Sequence, residues 1–170
     1  LKRYPVCYAL HRSIDGILAL RAGRGFEPGG IREIEMIIGR HQANMLRHSR
    51  PQTGLDAKFS AEFAAASAAT AGRVGLAELT DGFVRTEAIQ QMLPKVKVTP
   101  VDDPDPEDPL FSRTDTVRVT LADGTVLAGA PIAHAKGHAR NPVSLEELRG
   151  KFDDCVGGAL DPARRGRLFE

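Results

Sequence analysis

The stretch "TVRVTLADGTVLAGAP", Thr116–Pro131, decides the fold class. Val117, Val119 and Leu121 alternate with polar residues, the period of a strand with one buried face. Asp123-Gly124 predicts a two-residue type I′ turn, after which Val126 and Ala128 return opposite Leu121 and Val119. A β-hairpin with one apolar side needs a second layer to bury that side. Working outward, "VKVTPV" at 96–101 sets Val96 and Val98 among lysines, and "REIEMI" at 32–37, continued by Ile38, sets Ile34, Met36 and Ile38 against Glu33 and Glu35. Both read as half-buried strands. The proline-rich "DDPDPEDP" at 102–109 builds neither ladder and predicts an exposed loop.

The covering layer is read from helical periodicity. Leu10, Ile14, Ile17 and Leu18 predict a helix over Val6–Leu20, with Pro5 in a tolerated first-turn position. Gly23, Gly25, Pro28, Gly29 and Gly30 end it; these glycines form a turn and not a nucleotide-binding fingerprint. "TGLDAKFSAEFAAASAATAGR" at 53–73 starts on Thr53 as N-cap and carries Leu55, Phe59, Phe63 and Ala66 along one face. A further helix runs from about Phe83 to Leu93, ahead of Pro94, and a last one from the capping box Ser144/Glu147 toward Val156. The order is helix, strand, two or three helices, three strands, helix. It predicts an α+β two-layer sandwich, a mainly antiparallel sheet of about four strands covered by helices.

A chain of 170 residues with 42% hydrophobic residues supports one core and one domain. The balance of 23 basic against 22 acidic side chains leaves no global field to draw nucleic acid or an anionic membrane, so any charge recognition is local. Tryptophan is absent and aromatics make up 5%, which argues against base-stacking platforms. No apolar run reaches the roughly twenty residues that span a bilayer, so the expectation is a soluble, cytoplasmic protein. Cys7 and Cys155 form neither a disulfide framework nor a zinc site, and free thiols are expected; no metal or cofactor is called for.

On a helix starting near Pro5, Cys7, His11 and Asp15 share one stripe at successive i,i+4 spacing. That stripe reads either as a buried thiol beside a boundary histidine held by Asp15, or as one wall of a pocket. Lys2 is either a solvated side chain or a cation that reaches a carboxylate near the helix start. The loop "HAKGHAR" is a small anion site or a solvated segment, since HxxxH off a helix lacks zinc geometry. "HQANMLRHSRP" at 41–51, with His41, Arg47, His48 and Arg50, lines a cleft or is a surface connection.

Taken together, "KRYPVCYALHRSIDGILAL", "PQTGLDAKFSAEFAAASAATAGRVGLAELTD" and "VRVTLADGTVLAGAPIAHAKGHARNPVSLEELRGKFDDCV" resemble the MmgE/PrpD family in content and order, over almost the whole chain. The family includes 2-methylcitrate dehydratase, cis-aconitate decarboxylase and iminodisuccinate epimerase. The resemblance implies that residues 1–170 are the smaller C-terminal α+β domain, with an all-helical N-terminal domain supplying most acid/base residues across a cleft. It implies a metal-independent, cofactor-free hydro-lyase resembling 2-methylcitrate dehydratase that abstracts a proton next to a carboxylate of a di- or tricarboxylic acid, a homodimer, and an inactive domain when alone; the alternatives are a noncatalytic ligand-binding or dimerisation role, or an epimerase or decarboxylase of the same family.

By the same resemblance Lys2 matches a lysine that reaches substrate carboxylates, Cys7 stands where some members carry a pocket histidine, and His11 falls on a "YATH"-type element. Decarboxylase-type members place a tyrosine shortly before the proline matching Pro51. Here "NMLRHSRP" has none, which argues against decarboxylation.

Overall fold

The alternating segments form β1 (Ile31–Gly39), β2 (Val96–Val101), β3 (Thr116–Leu121) and β4 (Val126–Ala128), in a computed structural model that describes residues 1–157 and 159–169. The helical segments form α1 (His11–Arg24), α2 (Arg40–Met45), α3 (Gly54–Ala57), α4 (Ala61–Ala71), α5 (Asp81–Val84), α6 (Glu87–Met92), α7 (Leu145–Val156) and α8 (Pro162–Phe169). The sheet order is β2-β1-β3-β4. The α+β sandwich is as expected, and two of the three strand pairings are antiparallel. The third is not: β2 joins the far edge of β1 in parallel, with Ile34 opposite Val96. A parallel pair needs a long crossover, and α2 to α6 supply it. Pro100 is tolerated because β2 is an edge strand.

One face of the sheet is covered. Ile34, Met36 and Ile38 of β1 and Val117 and Val119 of β3 meet Leu10, Ile14 and Ile17 from the first helical segment and Phe63 from α4. Helix α1 lies over β3, α4 lies over β2, and the two helices pack on each other. Gly16 makes the first approach possible, since a Cβ there would fall 2.7 Å from Val117 Cγ2. The opposite face is polar: Glu35 accepts from the Thr99 hydroxyl at 2.6 Å and pairs with Arg118 at 3.3 Å and Lys97 at 3.5 Å.

The hairpin forms, but its turn is one residue longer than expected. Leu121 N–H donates to Thr125 O and Gly124 N–H to Leu121 O, so Ala122, Asp123 and Gly124 make a three-residue loop. Gly124 sits at φ +89° while no described residue other than glycine has positive φ, which excludes type I′ at Asp123. The register therefore shifts by one, pairing Val119 with Leu127 and Thr120 with Val126. Leu127 packs against the core, and Val126 is left 56% exposed.

Two helix boundaries also differ. The first helix begins not at Val6 but in a 3-10 turn over Tyr8–Leu10: the backbone of Cys7 is non-helical, at φ −53° and ψ 135°, and its N–H donates sideways to Lys58 O at 2.9 Å. Residues 53–73 are not one helix. Ser60 Oγ accepts from Phe63 N–H at 3.0 Å as a second N-cap, which separates α3 from α4 and leaves Leu55 and Phe59 exposed. The predicted 83–93 helix likewise divides into α5 and α6. The Ser144/Glu147 capping box opens α7 as read. No described helix is long and apolar enough to cross a membrane.

Candidate functional site

The cross-link between Cys7 N–H and Lys58 O brings the segment before α1 against the corner between α3 and α4. Beside it opens a hollow of about 500 Å³, walled by Lys2, Cys7, Tyr8, Lys58, Phe59 and Lys151. Lys151 comes from α7, so three parts of the chain contribute one lysine each. Among the described residues no acidic side chain lines the hollow. Exposed Lys2 and half-buried Cys7 are thus brought together.

His11 is not on that surface. It is fully buried, with the Tyr4 ring edge-on at 5.2 Å and the Tyr8 ring at 4.9 Å, and neither ring nitrogen has a hydrogen-bond partner. Burial lowers its pKa to about 4, with the charges of Lys2 and Lys151 acting in the same direction. The boundary position expected for His11 is corrected accordingly. Asp15 lies in a third setting: it accepts from the Tyr4 hydroxyl at 2.6 Å and from Lys136 N–H at 2.7 Å. The expected stripe of Cys7, His11 and Asp15 is dispersed because Cys7 precedes the helix.

Arg3 and Glu147 pair at 3.1 Å and Lys136 reaches Glu147 at 3.5 Å, which holds α7 near the hollow. Leu76 N–H, at 3.3 Å from Asp154, adds a contact further along the helix.

A buried polar knot stands behind the start of α1. Gln42 Oε1 accepts from Gly39 N–H, Ser112 N–H and the Ser112 hydroxyl, while its amide donates to Asp115. Arg12 donates to Ser112 O at 2.7 Å, lies 3.7 Å from Asp115 and covers the Phe111 ring. Burial raises the Asp115 pKa to about 6 against these contacts. None of these four residues carries a local sequence signal, because the knot joins positions up to 103 apart, Arg12 to Asp115. Lys58 had one: reading Ser60 as an N-cap breaks the helix and turns residue 58 into a corner. Lys151 had none.

The remaining candidates lie elsewhere. His134 and His138 stack at 4.5 Å, and His138 Nδ1 accepts from Arg140 N–H at 3.1 Å. Among the described residues no group of three His, Cys, Asp or Glu side chains is placed to hold a metal. His41 borders a separate hollow at the ends of β1 and β2, where Arg40 is bound by Asp102 through two 2.7 Å hydrogen bonds. His48 faces Asp56 at 3.8 Å.

Comparison with known proteins finds a mouse (Mus musculus) protein named cis-aconitate decarboxylase, 27% identical over 158 residues, which covers 89% of this chain and 31% of the relative. The chain thus spans about a third of the length of that relative. A family model described as the MmgE/PrpD C-terminal domain matches residues 4–170, which include Cys7, Lys58 and Lys151 of the hollow and both helices that cover the sheet. With this match over nearly its entire length, the chain belongs to the MmgE/PrpD C-terminal domain family.

Proposed function

We propose that the chain is the substrate-facing small domain of a hydro-lyase resembling 2-methylcitrate dehydratase, acting on a di- or tricarboxylic acid. The observation that carries this reading is the lysine-lined hollow, with no acidic group among the described residues of its wall. An ammonium beside a substrate carboxylate offsets the charge that builds on that group as the neighbouring carbon loses its proton. The base that takes the proton belongs to a preceding helical domain. The carbon–hydrogen electron pair forms the new double bond, and the β-hydroxyl departs as water once an acid protonates it. Lys2 supplies charge rather than taking the proton, and Cys7 shapes the wall. His11, sealed behind Tyr4 and Tyr8, positions the segment that carries them.

A second reading, decarboxylation, draws on the name of the mouse relative. It uses the same cationic wall: the bond to a carboxylate breaks, carbon dioxide leaves, and the electron pair remaining on carbon is protonated. The missing tyrosine ahead of Pro51 favours dehydration over it.

The test is proton NMR of the full-length protein with 2-methylcitrate, citrate, cis-aconitate and iminodisuccinate. Loss of water from a hydroxy acid supports the proposal; loss of carbon dioxide from cis-aconitate moves the assignment to the second reading; epimerisation or no turnover overturns both. Lys2→Ala is expected to lower kcat/KM by about tenfold, the equivalent of one charge-assisted contact. Unchanged kinetics removes Lys2 from the site. The 170-residue chain alone is expected to be inactive.

A further inference from the structure

The hollow beside Cys7 holds more positive charge than the reading above uses. Lys2 stands on the segment before α1, Lys58 at the α3–α4 corner and Lys151 in the middle of α7. Among the described residues, Lys2 and Lys58 form no ion pair, and the one carboxylate near Lys151 is Asp154 at 3.9 Å, one turn along the same helix. The Lys151 side chain is 18% exposed, so its stem is laid down on the protein. The chain carries a formal charge of only +1, which makes three lysines around one hollow with no acidic residue among its described lining a local feature, although Lys151 also borders the neighbouring hollow that holds Glu147 and Asp154. Such a concentration of one sign is the footprint of an anionic ligand.

The shape narrows the class. A volume of about 500 Å³ exceeds what a single phosphate group needs and lies in the range of small organic ligands. Cys7, Tyr8 and the 43% exposed Phe59 give the hollow an apolar wall against which a carbon skeleton can rest.

We propose that Lys58 and Lys151 join Lys2 in a three-cation seat, one ammonium for each carboxylate, and that this seat selects tricarboxylates over dicarboxylates. The inference rests on the carboxylic-acid reading of this site and adds two specificity-determining residues to it. It also makes α7 part of substrate selection, since Lys151 is carried there by the Arg3–Glu147 and Lys136–Glu147 ion pairs.

Titration calorimetry on the full-length protein tests it, with tricarballylate, glutarate and inorganic phosphate as probes at low ionic strength. Tricarballylate is expected to bind about tenfold more tightly than glutarate, the gain of one further charged contact. Lys151→Met and Lys58→Met should each reduce that preference to about twofold or less, and Lys151→Arg should keep it. Equal preference in wild type and Lys151→Met overturns the proposal, as does phosphate binding as tightly as tricarballylate. Circular dichroism on each variant separates lost binding from lost fold. The outcome is independent of turnover: an enzyme that dehydrates its substrate with an unaltered preference in Lys151→Met refutes the three-cation seat and leaves the lyase reading intact.

Discussion

At the scale of single residues, two buried titratable groups pull stability in opposite directions with pH. His11 has its pKa lowered from 6.5 to about 4, so its neutral form is favoured in the fold. Its contribution is fully present above pH 6.5 and is lost as pH falls toward 4. Asp115 is raised from 3.8 to about 6, so its charged form costs stability above pH 6, and that cost is relieved as pH falls toward 3.8. Each shift corresponds to about 3 kcal/mol, and the two oppose each other across nearly the same window. Asp115→Asn should make the protein distinctly more acid-sensitive between pH 6 and 4, and His11→Phe should make it less so. Urea-unfolding midpoints at pH 7 and 4.5 check this; identical pH slopes in the two variants would remove both groups from the balance.

At the scale of elements, the contact between α1 and β3 depends on a missing side chain. Gly16 is buried, and a Cβ there meets Val117 Cγ2 at 2.7 Å and Ile132 Cδ1 at 3.4 Å. Ala is the better helix former, yet overpacking outweighs propensity at this site. Gly16→Ala should therefore destabilise by about 1–3 kcal/mol by denaturant unfolding, with Val117→Ala in the same chain recovering part of the loss. A stabilised Gly16→Ala variant would show that the helix can lift off the sheet at no cost. Helix α7 illustrates the opposite case. It has a full capping box and no buried residue, so its own local bonds form it while ion pairs of Glu147 hold it in place.

At the scale of the whole molecule, the core is continuous from α1 and α4 through the sheet, whereas α7 and α8 contribute no buried side chain. Attachment by exposed and half-buried charges is weakened by salt, and apolar packing is not. Hydrogen exchange should therefore show residues 145–156 opening before the core, faster at 1 M than at 0.1 M sodium chloride, with β1 unchanged; salt-insensitive exchange in α7 would mean that it is held by other contacts. Much of this molecule was legible in its sequence. Strand periodicity, the Ser144/Glu147 cap and the segment order specify an α+β sandwich, because alternation and capping are local properties of the chain. Lys2 and Cys7 were read as candidate site residues through family resemblance, and the fold places both beside one hollow. The parallel partner of β1, the corner at Lys58, the burial of His11 and the approach of Lys151 were decided by tertiary structure alone. Each depends on which distant backbone group or apolar surface a segment meets, as Cys7 N–H meets Lys58 O, and no local pattern encodes that choice.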